Sequence, residues 1–355
     1  MAKKPSIRTA QYRLLENLCN ACAVSGDEGV VRKIVLEQIE THVDEVTVDA
    51  LGNVLATKKG TSAHHLKVMI AAHMDEIGFM ITADNGDGIF RFDTVGGIDP
   101  RQMAGKPVWV GKDKTPGVIG AKPIHLTTSG ERSNTIGVNS LRIDVGPKNK
   151  NKVKVGDRAT FATEYLKIGP SIRAKALDDR LGVAMLIELL KHAPVNIDLQ
   201  AAFTVQEEVG LRGARVAAYA LDPDIAFALD STPAYDLPNW EDEENTRYNT
   251  KLGLGPAIYI ADRGTLSDPR LIRHLAATGD AAGIPYQFRQ PGGGGTDAGA
   301  IHRQKAGIPS VSVSVPGRYA HTAAGLIRID DWKNTLALMH TALSKITPDI
   351  LKEER

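Results

Sequence analysis

Hydrophobic and polar positions follow two textures along this chain. Residues 66–73, LKVMIAAH, form an almost unbroken apolar run, the pattern of a strand covered on both faces. DDRLGVAMLIELLKHA (178–193) has apolar residues at helical spacing and is followed by the strand-like DLQAAFTVQ (198–206). The pattern then predicts a helix over 213–220, a strand in IAFALD (225–230), another in PSVSVSVP (309–316), and a closing helix in DDWKNTLALMHTALSKI. Near the start, Tyr12, Leu14, Leu15, Leu18, Cys19 and Cys22 recur at helical spacing along an opening helix. Ser25 with Glu28 reads as a capping box that starts the next helix, GVVRKIVLEQIETHV. Apolar strands alternating with helices predict an α/β fold with a mostly parallel central sheet flanked by helices.

Residues 77–171 read differently. They are rich in Gly, Val, Thr and Pro, with turn signals at DNGDG (84–88), VGGIDP (95–100) and GPKNKNK (146–152), and they show no long helical period. That texture predicts a small all-β unit inserted into the α/β domain. Residues 1–76 and 172–355 would then form one discontinuous domain, and 77–171 the insert.

Composition removes several classes of function. Of 355 residues, 42% are hydrophobic and 24% charged, which suits a globular protein. Lys plus Arg (43) nearly cancels Asp plus Glu (42), with no basic stripe, so a nucleic-acid partner is not expected. No apolar run approaches the roughly 18–20 residues that span a bilayer, so no membrane role is expected either. The opening MAKKPSIRTAQYR has no apolar core behind its basic residues, and the chain holds only Cys19 and Cys22. A secretory signal and a disulfide framework are therefore not expected, and the expected setting is cytoplasmic. Without a second cysteine pair, Cys19 and Cys22 read as packing residues on the opening helix.

Metal-ligand residue types end each apolar strand. His73 closes the first, Glu207 and Glu208 the second, and Asp230 the third. Ligands in open α/β sheets bind at the carboxyl ends of the strands. Asp178 opens the helix before the second strand, and His321 follows the last one. His73, Asp178, Glu208, Asp230 and His321 suit two divalent cations sharing one carboxylate. Imidazole and carboxylate donors without thiolate favour zinc, cobalt or manganese. The expected nucleophile is a hydroxide held by those metals, because coordination lowers the pKa of water to about 7. Glu207, beside a ligand but not itself one, is placed to act as general base and then acid. Neighbouring strand residues face opposite ways, so Glu207 and Glu208 share a site only if the strand breaks, and Gly210 is placed to permit that.

Five motifs carry a family resemblance. His73-Met74-Asp75-Glu76-Ile77-Gly78, Lys175-Ala176-Leu177-Asp178-Asp179-Arg180, Gln206-Glu207-Glu208-Val209-Gly210, Ala228-Leu229-Asp230 and Arg318-Tyr319-Ala320-His321 resemble the dinuclear metallo-aminopeptidases of the TET type. That group includes bacterial glutamyl aminopeptidases and archaeal deblocking aminopeptidases. The resemblance implies one metal on His73 and Asp230, another on Glu208 and His321, Asp178 bridging them, and Glu207 as general acid/base. It implies that Asp75 orients His73 through the other ring nitrogen. It also implies that the insert serves dimerisation, that dimers assemble into a tetrahedral dodecamer, and that substrates are peptides with a free N-terminus.

Other readings of the same residues stand beside this one. An N-acyl deacylase or an endoglucanase-type hydrolase would use the same metals, and an inactive metal-binding scaffold would keep the ligands without turnover. Singly, Asp178 reads as a helix N-cap, with Asp179 able to serve either role, and His321 reads as a surface residue. The acidic run Glu241-Asp242-Glu243-Glu244 reads as an exposed loop. Gly292 to Gly295 before Thr296-Asp297 lacks the Gly-Lys-Ser/Thr ending of a phosphate loop and is expected to approach substrate through its backbone. His125 in AKPIHL stands between a packing role and an interface role.

Overall fold

Leu14, Leu15, Leu18 and Cys19 form the buried face of helix α1 (Thr9–Asn20), and Val31, Val35 and Ile39 that of α2 (Gly29–Ile39). A computed structural model describes residues 4–63, 65–237 and 250–355. After the hairpin β1 (Glu45–Val48) and β2 (Val54–Lys58) comes β3 (Leu66–His73), buried at every position but Lys67. There the chain leaves the sheet. Strands β4 (Gly78–Asp84), β5 (Ile89–Val95), β6 (Pro107–Val110), β7 (Thr115–Gly120), β8 (Arg142–Asp144) and β9 (Arg158–Phe161) close into an antiparallel barrel in the order β4-β5-β8-β7-β6-β9. The short helix α3 (Ser129–Ser133) lies on the excursion between β7 and β8. The chain returns through β10 (Leu166–Ile168), β11 (Ser171–Ala174) and α4 (Leu177–Lys191). It continues as β12 (Ile197–Thr204), α5 (Arg212–Leu221), β13 (Ile225–Pro233), β14 (Ala257–Tyr259) and α6 (Pro269–Ala282). It ends with β15 (Gln287–Arg289), α7 (Ala298–Ile301), β16 (Ser310–Arg318), β17 (Gly325–Arg328) and α8 (Ile329–Lys345).

The large sheet runs β1-β2-β12-β3-β13-β16-β17-β11-β10, with β14 beside β16 and β15 beside β14. Its centre is parallel, as the apolar runs implied: β12 with β3, β3 with β13, and β13 with β16. The margins are antiparallel, β1 and β2 on one side and β17, β11 and β10 on the other. The sheet as a whole is therefore mixed. The inner strands are covered on both faces and so must be apolar throughout, whereas the exposed margins β1 and β10 carry no such signal.

The barrel has a core of its own, in which Phe79 stands edge-on to both Phe92 and Phe161 at 5.1 Å. A buried ion network joins it to the α/β layers. Lys175 Nζ donates to both Glu76 carboxylate oxygens at 2.8 Å and to the Ala21 carbonyl at 2.6 Å. Thr160 of β9 donates to Glu76 Oε2 at 2.9 Å, and Arg180 reaches Oε1 at 3.3 Å.

Two local expectations are corrected. Helix α1 stops at Asn20, so Cys22 lies beyond it; Cys19 is buried, Cys22 half-buried, and both thiols are free. No Ser25–Glu28 capping box forms: Glu28 is the N-cap residue of α2 without a side-chain cap. Both side chains are instead drawn toward the sheet edge described next. Among the described residues no helix is long and apolar enough to cross a membrane.

Candidate metal centre

In the sheet β3 lies between β12 on one side and β13 on the other, and a crevice opens at the carboxyl ends of these three parallel strands. His73 ends β3 opposite Thr204, the last residue of β12. Strand β13 pairs with β3 only through Ile225–Ala228, so the two diverge before Asp230. Asp230 sits inside β13, which runs on to Pro233, rather than at its end as the sequence suggested. Its Oδ1 lies 3.9 Å from His73 Nε2 across the gap.

Asp178 enters from the start of α4. Ala176 is left-handed (φ 53°), Asp178 and Asp179 are non-helical, and the peptide bond between them is cis. Asp179, not Asp178, caps the helix: its Oδ1 accepts the Gly182 N–H at 3.0 Å. Asp178 is left to face the crevice, with Oδ1 3.1 Å from His73 Nε2 and Oδ2 3.6 Å from His321 Nε2.

The Glu pair is delivered by a loop whose backbone is held by side chains. The break comes at Gln206 (φ 56°), before the pair, while Gly210 (φ 118°) lies after it. Four successive N–H groups then meet buried acceptors. Asn53 Oδ1 takes Val205 N at 2.9 Å, and Glu28 Oε1 takes Gln206 N at 3.2 Å. Asp75 takes Glu207 N on Oδ1 at 3.0 Å and Glu208 N on Oδ2 at 3.2 Å. Ser25 Oγ donates to the same Oδ2 at 2.6 Å, and Asp75 Oδ1 faces His73 Nδ1 at 3.5 Å. Sequence reasoning missed Asn53 and Glu28; a buried Asn among turn residues carried no signal that could have found it.

His321 stands in the connection between β16 and β17, itself left-handed (φ 56°). Its Nε2 is 3.3 Å from Glu208 Oε2, and its Nδ1 is 2.9 Å from the carbonyl oxygen of Gly97 in the barrel. The five expected ligands thus come together in two groups, His73, Asp178 and Asp230, and Asp178, Glu208 and His321, with Asp178 in both. Within each group the ligand atoms lie within 4.8 Å of one another. Glu207 belongs to neither, its Oε2 4.0 Å from His73 Nε2.

The electrostatics show what the cluster lacks. Burial, with the neighbouring Asp178 and Asp179 charges, pushes the Asp230 carboxyl well above the ordinary range, and burial beside Glu208 does the same to Glu207. Burial lifts Glu208 to about 7 despite His321. Burial opposes charge on the imidazoles, but Glu207 with Asp178 and Asp75 holds His73 well above its ordinary value, and Asp178 with Glu208 lifts His321 to about 9. Burial is the largest cause in each acid, and four carboxylates (Asp178, Glu207, Glu208, Asp230) against two imidazoles (His73, His321) add to it. Nitrogen and oxygen donors with no thiolate, short of positive charge, fit divalent cations.

A cleft of about 840 Å³ opens beside the cluster, lined on its far side by Tyr259, Arg289 and Gly293–Gly295. The glycine run is a cleft wall, while Thr296 and Asp297 turn inward: Thr204 Oγ1 donates to Asp297 at 2.5 Å, and Thr296 pairs with Ser312 at 2.6 Å. His125 is exposed on a short turn away from any core, which excludes its packing role. Glu241-Asp242-Glu243-Glu244 lies outside the described residues.

The family model for the M42 glutamyl aminopeptidase matches residues 52–338. The chain is 36% identical to a putative aminopeptidase of Acetivibrio thermocellus, over 94% of this chain and 98% of that protein. It resembles the solved structure of an aminopeptidase from the archaeon Desulfurococcus kamchatkensis with a TM-score of 0.90 and 35% identity, over 97% of each chain. It also resembles the Pyrococcus horikoshii TET1 peptidase, which can assemble into a tetrahedron or a large octahedral shell (TM-score 0.82, 30% identity, 95% of this chain and 100% of that one).

Proposed function

This chain belongs to the M42 glutamyl aminopeptidase family, and from that premise we propose that it is a metal-dependent aminopeptidase releasing N-terminal residues from peptides with a free N-terminus. The observation that carries the reading is one carboxylate, Asp178, common to two donor groups, with a largely buried Glu207 beside them that neither group uses. His73 and Asp230 would hold one divalent cation, Glu208 and His321 the other, and Asp178 would face both; zinc or cobalt is favoured, with manganese a third candidate. Bound there, the cations would polarise the scissile carbonyl and acidify the attacking water.

The remaining work falls to the chain itself. Glu207 takes the water's proton on a carboxylate oxygen and returns it to the leaving amine nitrogen. Its carboxylate stands 4.0 Å from His73 Nε2 and belongs to neither donor group, which leaves it available for both steps. Asp75 acts on the reaction through others: it holds the N–H groups of Glu207 and Glu208 and faces His73 Nδ1, fixing the base and two ligands together. The cleft lined by Tyr259 and Gly293–Gly295 receives the N-terminal residue.

The reading extends to organisation. Residues 1–76 and 172–355 would act as the catalytic domain and 77–171 as the dimerisation unit, with dimers building a closed dodecameric shell that admits only peptides and unfolded segments. A cytoplasmic setting suits the free Cys19 and Cys22.

The test is Glu207→Gln, assayed on aminoacyl chromogenic amides with metal content measured in parallel. Turnover is expected to fall roughly 10²–10⁴-fold with two metals still bound per chain. Activity that survives the change removes Glu207 from its role, and resistance to chelators removes the cations from theirs.

A further inference from the structure

We infer that the barrel turn at residues 95–99 is a positioning element for one cation subsite only, with Gly97 as the positioning residue for His321. This rests on the two-cation reading above. The Gly97 carbonyl can only accept, so the contact of 2.9 Å makes His321 Nδ1 the donor and aims Nε2 at Glu208 and Asp178. Packing does little to hold that ring: the His321 side chain is 43% exposed, against 2% for His73. A ligating histidine commonly depends on such a partner for its other ring nitrogen, and losing it typically costs 10–100-fold in metal affinity.

The same turn touches the second ligand of that subsite. Gly96 is left-handed (φ +84°), and a Cβ there would stand 2.8 Å from Ile77 Cγ2 and 3.4 Å from the Glu208 Cβ. A Cβ on Gly97 would stand 3.4 Å from His321 Nδ1 and 3.9 Å from its Cε1. A Cβ at Gly97 already touches the His321 ring, so a longer side chain there presses on it, whereas one at Gly96 meets Ile77 first. The partner subsite is independent of the barrel. Its Asp230 rises from β13, and its His73 presents Nδ1 to Asp75, 3.5 Å from the carboxylate and 3.2 Å from the main-chain oxygen. One cation is thus gripped by the α/β domain alone, and the other only when the inserted barrel is seated against it.

The test titrates metal-stripped full-length protein with Zn²⁺ by calorimetry and with Co²⁺ by visible absorption. Wild type should bind two equivalents. Gly97→Val should weaken the second equivalent roughly 10–100-fold, shift its Co²⁺ bands, and leave the first equivalent unchanged. Gly97→Ala should give a smaller loss in that same equivalent, and carries the test alone if the valine variant misfolds. Gly130→Ala, elsewhere in the insert with nothing within 4 Å of its Cβ, should match wild type. An unchanged second equivalent in both Gly97 variants, or equal weakening of both equivalents, overturns the inference alone. Wild type that binds fewer than two equivalents overturns the two-cation reading and this inference with it.

Discussion

Replacing Asp75 by Asn changes one atom in a fully buried carboxylate, and the geometry sets the cost. Asp75 Oδ1 accepts from Glu207 N, and Oδ2 from Glu208 N and Ser25 Oγ. Ser25 can rotate its hydroxyl to accept instead, but a backbone N–H cannot reverse its role. Whichever way the asparagine amide is turned, its NH₂ group therefore meets one of the two N–H groups. One charge-assisted bond is lost, a buried donor is left unpaired, and the surviving bond loses its charge. Together these cost about 2–4 kcal/mol. The displaced atoms belong to Glu207 and Glu208, so the loss should appear in turnover and cation affinity as well as in unfolding. Expressed in kcat/KM it is roughly 30–1000-fold. Steady-state kinetics on an aminoacyl chromogenic amide, metal titration and urea unfolding measure the three effects. Ser25→Ala, which leaves both backbone bonds in place, should cost less in all of them. An Asp75→Asn enzyme with wild-type kcat/KM and cation affinity would refute the claim that this carboxylate sets the loop.

Three further outcomes are expected. Chelated protein should lose stability as pH rises: Glu208, ordinarily near 4.5, holds its proton to about 7 in the fold, so the folded state binds more protons through that window and is progressively disfavoured across it. His321, lifted from 6.5 to about 9, adds stability that is complete below 6.5 and lost on approaching 9. Melting temperatures of chelated protein should therefore fall between pH 5 and pH 9 and be restored by Zn²⁺, most strongly at the alkaline end; a flat profile would discount the cluster's electrostatics. Lys175→Met should destabilise by about 3–5 kcal/mol, because it removes one cation facing the buried Glu76, and a loss under 1 kcal/mol in urea unfolding would argue against the network. Phe79→Ala, in the barrel core, should cost about 3–5 kcal/mol, and calorimetry that shows no loss would mean the core closes over the void.

The parallel centre of the sheet could be read directly because each inner strand is covered on both faces and must be apolar along its length. The candidate ligands were legible for the same reason: His73 and the Glu pair interrupt such runs, where a polar residue stands out. The margins were not legible. Strands β10 and β17 are short, the first exposed throughout and the second half-buried, and pairing with their neighbours, not hydrophobicity, makes them strands. The Ser25–Glu28 expectation failed in an instructive way. Both residues suit a helix start, but Asp75 and the Gln206 N–H are buried partners that local spacing cannot reveal, and buried partners outweigh an exposed cap.

From the sequence alone came the candidate ligands, their order along the chain and the strands that carry most of them, because burial on both faces leaves a one-dimensional trace. The three-dimensional packing alone sets which acceptors hold the N–H groups of residues 205–208, that Asp179 rather than Asp178 caps α4, and that a barrel carbonyl meets His321 Nδ1. Those contacts join residues as many as 224 positions apart. They exist only after the strands have paired and the barrel has docked, so no local pattern encodes them.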